Sequence, residues 1–146
     1  MSKKILAVIA GLVVWVIIVM AIGQIMRSSW PAYANVAAAM TFTLPMLIAR
    51  LSISVVATLA AGLVTAFIAP VSTLVRLMPG MLLLVAFIPE HISLWDKFPV
   101  WYHLTFLVSL VPLTYIGGTT WSRQRGNRAM QVEKEMKATN LSSAAE

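Results

Sequence analysis

Apolar residues in this chain fall into four long runs, separated by short polar or proline-bearing joints and followed by a polar tail. The first run, residues 5–26, follows a basic start, Met1-Ser2-Lys3-Lys4. It has the length of a bilayer-crossing helix, about 20 residues. A cleaved secretory signal competes, because Ala21-Ile22-Gly23 is a small-x-small pattern, but the run exceeds a signal's apolar core of about 7–15 residues. An uncleaved first span is the expectation. Ala7 and Gly11 give it a small-xxx-small pair for close helix contact. Trp15, near mid-span, reads as a bulky packing residue.

In the first joint, Trp30 and Tyr33 suit an interfacial aromatic belt. Ser29 has a capping side chain and Pro31 the place of a first-turn proline, which predicts a short helix lying along the surface over residues 31–42. One helix from there through the next run would be far too long for a crossing at about 1.5 Å per residue. Thr43-Leu44-Pro45 breaks it, since proline is tolerated in a first turn and not deep inside a helix.

The second run, residues 45–69, carries a row of small residues at four-residue spacing: Ser54, Thr58, Gly62 and Ala66. Ala57, Ala61, Thr65 and Ala69 form a second row beside it. Residues four apart share a helix face, and small side chains there admit another backbone. This predicts the central packing face of a bundle. A polar translocation path is the sharper alternative, but hydroxyls are too weakly polar to mark one alone.

The third run, residues 74–88, is the shortest. Ser72 or Thr73 is its candidate cap, Arg76 sits at the membrane edge, and Pro79-Gly80 weakens its first part. A re-entrant hairpin fits that length but puts the chain ends on opposite sides, against the charge bias. Residues 89–101 follow as a connection; the stretch from Pro89 to His103 crowds acids, both histidines, a lysine and aromatics. Pro99 fits the first turn of the fourth span, residues 99–116, which is expected to kink at Pro112 and end at Gly117-Gly118, with Trp121 in the opposite belt. Residues 122–146 form a polar, basic tail in which Glu133 and Lys137 make a favourable i,i+4 pair; fraying is expected from about Thr139. The fold expected is an all-α, four-transmembrane-helix bundle over residues 1–121, with the tail as an appendage.

Composition agrees. Hydrophobic residues make up 60% of the chain and charged ones 11%, with a mean hydropathy of +0.86. Soluble domains carry about 25% charge, so these few charges cannot clothe a water-facing surface and the lipid bilayer is the expected solvent. A length of 146 residues suits one domain. Without cysteine, disulfides and thiolate metal sites are excluded. The net charge of +6 does not indicate nucleic acid, because the basic residues sit mostly at segment ends, where topology signals belong. Lys3, Lys4, Arg76, Arg123, Arg125, Arg128, Lys134 and Lys137 share one side of a four-span arrangement; Arg27 and Lys97 fall on the other, with Arg50 near it. The richer side is expected to be cytoplasmic. Both termini then lie inside, and the connection faces outward.

Under this topology Arg50, Glu90, His91, Asp96 and His103 gather at the outer boundary as a candidate polar cluster. Arg50 lies only about 7–8 Å into its span. It either snorkels to the interface or pairs with a carboxylate, Glu90 or Asp96. The histidines and acids are the ligand types of a divalent metal, but they lack tight spacings such as i,i+4. Hydrogen bonding of the histidines to loop backbone is the simpler reading, and a haem needs both rings facing one cavity. No metal and no cofactor are expected.

Catalysis has little support: there is no nucleophile elbow, phosphate loop or thiol. A carboxylate beside a histidine is suited to acid–base work, but only as a weak signal. No span carries an acid in its interior, which counts against proton-coupled exchange. The small multidrug transporters also have four spans but rely on a glutamate in the first, and residues 5–26 contain no acid. Arg123, Arg125 and Arg128 read as a topology anchor ahead of an anionic-lipid site.

Trp30-Pro31-Ala32-Tyr33, Met40-Thr41-Phe42-Thr43-Leu44-Pro45-Met46-Leu47-Ile48-Ala49-Arg50-Leu51 and Leu94-Trp95-Asp96-Lys97-Phe98-Pro99-Val100-Trp101-Tyr102-His103 resemble stretches of a group of small, uncharacterised bacterial inner-membrane proteins. The resemblance covers roughly the chain to Gly118. It implies a bacterial four-span protein and brings no activity, ligand or functional residue. The function expected is non-enzymatic: an accessory or packing subunit, forming a homo-oligomer or docked on a larger membrane complex. The alternatives are a small transporter or channel with an outward-facing polar mouth, and behind it a membrane enzyme acting at the outer surface.

Overall fold

The computed structural model describes residues 3–69 and 73–143, with side chains as far as Lys137. Every regular element among the described residues is an α-helix: α1 Lys3–Ser29, α2 Pro31–Ala37, α3 Leu44–Ile68, α4 Thr73–Ser93 and α5 Val100–Ser143. Four of them, all but α2, are long and apolar enough to cross a membrane.

Helix α1 buries Ala7, Gly11 and Trp15, four residues apart on one face, with Val8 beside them. It runs through Ser29, so that serine ends α1 and does not cap α2. The N-cap of α2 is Trp30, which makes no side-chain capping bond; Pro31 sets the first turn. Helix α2 stops at Ala37, short of the expected Phe42, and the chain turns back through Met40 at a φ of 57°. Helix α3 opens with Thr43 as N-cap residue and Pro45 in its first turn. Both of its small-residue rows are buried, and it sits at the centre, packed on α1, α4 and α5.

Two expectations fail at the ends of helices, both because proline and glycine have more than one use. The third span is not short. Helix α4 extends to Ser93 and takes Pro89, Glu90 and His91 into its last turns, leaving only residues 94–99 as connection. Ser72 lies outside the described residues. Pro79 stands inside α4, and a Cβ on Gly80 would lie 2.8 Å from both the Leu110 carbonyl oxygen and the Val111 Cα. That glycine therefore admits α5. Likewise, α5 does not stop at Gly117-Gly118; it runs on through Pro112, the glycines and the tail to Ser143. Gly117 faces the Leu59 backbone and Gly62 faces the Thr114 carbonyl, so these glycines bring α3 and α5 into close approach. Residues 123–137 are all exposed on this extended helix, where Lys137 Nζ reaches Glu133 Oε1 at 2.6 Å.

The interior is layered along the bundle. Trp15, Ala57, Ala61, Leu83, Phe106 and Leu110 fill its middle. Ala7, Val8, Ala69 and Val75 close one end, and Leu47, Phe98 and Tyr102 the other. Buried hydroxyls tie helices together or turn back on their own carbonyls. Thr65 donates to Ala61 O at 2.8 Å and lies 3.3 Å from Ala7 O. Trp15 Nε1 donates to Thr58 Oγ1 at 3.1 Å. Large apolar side chains such as Ile17, Met20, Leu74, Val85 and Val108 point outward, the surface that hydrocarbon would solvate.

Candidate functional site

Arg50 sits in the second turn of α3 and points inward. Its Nη1 donates to the Tyr33 hydroxyl at 2.9 Å and its Nε to the Tyr102 hydroxyl at 3.4 Å. Its Cζ lies 4.7 Å from the centre of the Phe42 ring, in cation–π range. Local sequence explains the arrangement. Pro31 starts α2 so that Tyr33, read from sequence as a belt residue, turns under it and is only 3% exposed. The turn at Met40 then brings Phe42 against Tyr33, with ring centroids 5.1 Å apart. Tyr102 comes from the first turn of α5.

The carboxylate partner expected for Arg50 is not there. No ion pair joins it to Glu90 or Asp96, and both acids are exposed. The reason is the length of α4: continuing the helix past Pro89 places Glu90 on an exposed face, while Asp96 stays in the connection. Nor does Arg50 snorkel outward, since the phenols hold it within the bundle.

His91 and His103 do come together, with ring centroids 5.1 Å apart and planes at 75°. Trp95 stacks on His103 at 4.8 Å, and Phe106 lies 4.6 Å from His91. Both histidines are buried, and none of their four ring nitrogens has a hydrogen-bond partner, so the expected bonds to loop backbone are absent. Aromatic packing takes their place. Among the described residues no three His, Cys, Asp or Glu side chains gather at metal-binding distance. Two imidazoles alone fall short of the three or four ligands of a protein zinc site.

A cavity of about 190 Å³ opens beside Arg50 between α1, α3, α4 and α5. Arg50, Ser54, Tyr33 and Tyr102 give it a polar side; Trp15, Val19, Ile53, Phe87 and Phe106 give it an apolar one; Gly23 lines it from α1. Ser54, four residues after Arg50 and thus on the same face, is buried with its Oγ unpartnered. Two other hollows lie elsewhere: one of about 350 Å³ by Phe67, Trp121 and Arg125, and an apolar groove of about 540 Å³ between α1 and α4.

The structure thus splits the five-residue cluster read from sequence. Arg50 belongs to the cavity, the histidines to an adjoining aromatic box that shares Tyr102 and Phe106, and Glu90 and Asp96 to the surface. The sequence reading missed Tyr33, Phe42 and Tyr102 as partners of Arg50. Their signal was present: a lone arginine inside a span, with tyrosines at the starts of two flanking helices. No protein family, curated protein or solved structure matches this chain.

Proposed function

We propose that the chain is a non-enzymatic, four-span protein of the bacterial inner membrane. It serves as an accessory subunit that docks through its cytoplasmic arm on a second copy or a larger membrane complex. The observation that carries this reading is the end of α5. From residue 123 to 137 it is helical, exposed along its whole length, and bears Met130, Val132 and Met136 among its charges. Helices draw most of their stability from packing, so an arm whose described side chains are all exposed is best accounted for by a neighbour in another chain. The orientation is supported by charge: Lys3, Lys4, Arg76 and the arginines of the arm belong to the ends that four crossings bring to one side, and the basic side is cytoplasmic.

Two measurements test this. Topology reporters fused after Glu146 and within residues 94–99 should report inside and outside respectively; the reverse result ends the orientation. In mild detergent, full-length protein should run as a defined assembly, alone or with a partner in fixed ratio, and a chain ending at Ser122 as a monomer. A monomeric full-length protein with no stoichiometric companion removes the subunit reading.

One observation favours a second reading, a small transporter with an outward-facing polar mouth: the cavity beside Arg50. In that case water should reach below Ser54, and a cysteine at Thr58 should react with a polar thiol reagent. The hydrogen bond from Trp15 to Thr58 closes the floor there and favours the first reading.

A further inference from the structure

We infer that the cavity beside Arg50 binds one amphiphilic anion, its oxyacid head on Arg50 and Ser54 and its apolar part lying toward Trp15. The inference goes beyond the subunit reading and does not depend on it. It stands on four features of one cavity.

The first is a cation with no counter-ion among the described residues. Arg50 is half-buried, its hydrogen-bond partners are neutral phenols, and Glu90 and Asp96 lie exposed elsewhere. A guanidinium has five N–H donors, and the phenols occupy two of its nitrogens. What remains is the planar fork that suits a carboxylate or a phosphate.

The second is an idle hydroxyl. Ser52 donates to Ile48 O, Thr65 to Ala61 O and Thr114 to Val111 O, each turning back on its own helix. Ser54 does not. Its Oγ is buried without a partner in a residue only 4% exposed, one turn from Arg50 and on the cavity wall. A buried hydroxyl left unpaired is costly, and a ligand oxygen would satisfy it.

The third is a glycine that packing does not need. At Gly11, Gly62, Gly80 and Gly117 an added Cβ would run into a neighbouring helix, whereas at Gly23 it meets nothing within 4 Å. Gly23 lines the cavity, so its missing side chain keeps that wall open.

The fourth is size and depth. The volume of 190 Å³ holds about six water volumes of roughly 30 Å³, enough for an oxyacid head and the first few carbons. Arg50 lies about 9 Å from the start of α3, and Trp15 about 18 Å from the start of α1. The polar end of the cavity is therefore near one membrane boundary and the apolar end near mid-bilayer. An amphiphile in a leaflet has the same order.

The test uses the full-length protein in a non-ionic detergent, with hexanoate as probe and fluorescence of Trp15, assigned with a Trp15→Phe variant, as readout. Hexanoate should bind saturably. Hexanol, with the same tail and no charge, should bind roughly 10- to 100-fold more weakly, as should hexanoate to Arg50→Gln, because the charge-assisted hydrogen bonds are then lost. Arg50→Lys should recover part of the affinity and Ser54→Ala should lose part. Gly23→Leu should abolish binding without lowering the thermal unfolding midpoint, which keeps the test decisive should Arg50→Gln fail to fold. Soluble dihexanoyl phosphatidylglycerol separates the sources: if it outbinds hexanoate the head is a lipid phosphate, and if hexanoate outbinds it the head is a free carboxylate. Hexanol binding as tightly as hexanoate, inorganic phosphate doing so without a tail, or full binding by Gly23→Leu would overturn the inference.

Discussion

The hydroxyl of Tyr33 accepts a hydrogen bond from Arg50 Nη1 at 2.9 Å, across 17 positions and from a different helix. That contact pins the short helix α2 to the bundle and holds the guanidinium at the cavity. Tyr33→Phe should therefore lower stability by about 1.5 kcal/mol, the low end for a bond to a charged group. Tyr102→Phe should cost less, since its bond to Nε is longer at 3.4 Å. Unfolding of both variants in mixed micelles gives the comparison; equal or zero losses would remove Arg50 as the clamp on α2.

Glycines at helix crossings should be intolerant of even one methyl group. A Cβ on Gly62 would meet the Thr114 carbonyl, and one on Gly117 the Leu59 carbonyl. Each Gly→Ala change there should destabilise by about 1–3 kcal/mol through overpacking. Gly23→Ala should instead gain about 0.5–1 kcal/mol, the ordinary helix preference for alanine. The sign difference, read from unfolding midpoints, distinguishes close approach from simple helix propensity.

His103 is wholly buried against Trp95, Phe98 and Tyr102 with both ring nitrogens unpartnered. Removing unpaired polar atoms while keeping a flat ring in place is nearly neutral or favourable. His103→Phe should hold or raise the unfolding midpoint, and His103→Ala should lose about 3 kcal/mol to the void. A large loss in His103→Phe would mean that a nitrogen of the pair holds something in the membrane.

Ending the chain at Ser122 should leave the unfolding of the bundle unchanged, because residues 123–137 are exposed and none belongs to its buried core clusters. Circular dichroism should lose only the arm's share of helix. A bundle that melts early without the arm would show that α5 needs its far end to hold its near one.

The four apolar helices were legible because hydropathy over a span's length averages away local detail. The burial of both α3 rows, from Ser54 to Ala66 and from Ala57 to Ala69, follows from a four-residue period with small side chains. What was not legible turned on residues with two uses. Pro89 can end a helix or ride within its last turns, and Gly117 can stop a helix or let Leu59 approach. One sequence does not say which, because the choice is made by the neighbouring helix. Arg50 was misread for a related reason. Charge suggested a carboxylate, yet the groups that reach it are phenols, and a phenol's polar atom is easily counted as belt decoration.

Because α5 is helical without interruption from Val100 to Ser143, a tilt at one extremity is magnified at the other. At about 66 Å long, every degree of tilt at the His103 end sweeps the other extremity through about one ångström. Tyr102, which touches Arg50, stands on the first turn of α5. A ligand that shifted Tyr102 by tilting this helix would therefore move Met136 farther than it moved Tyr102 itself.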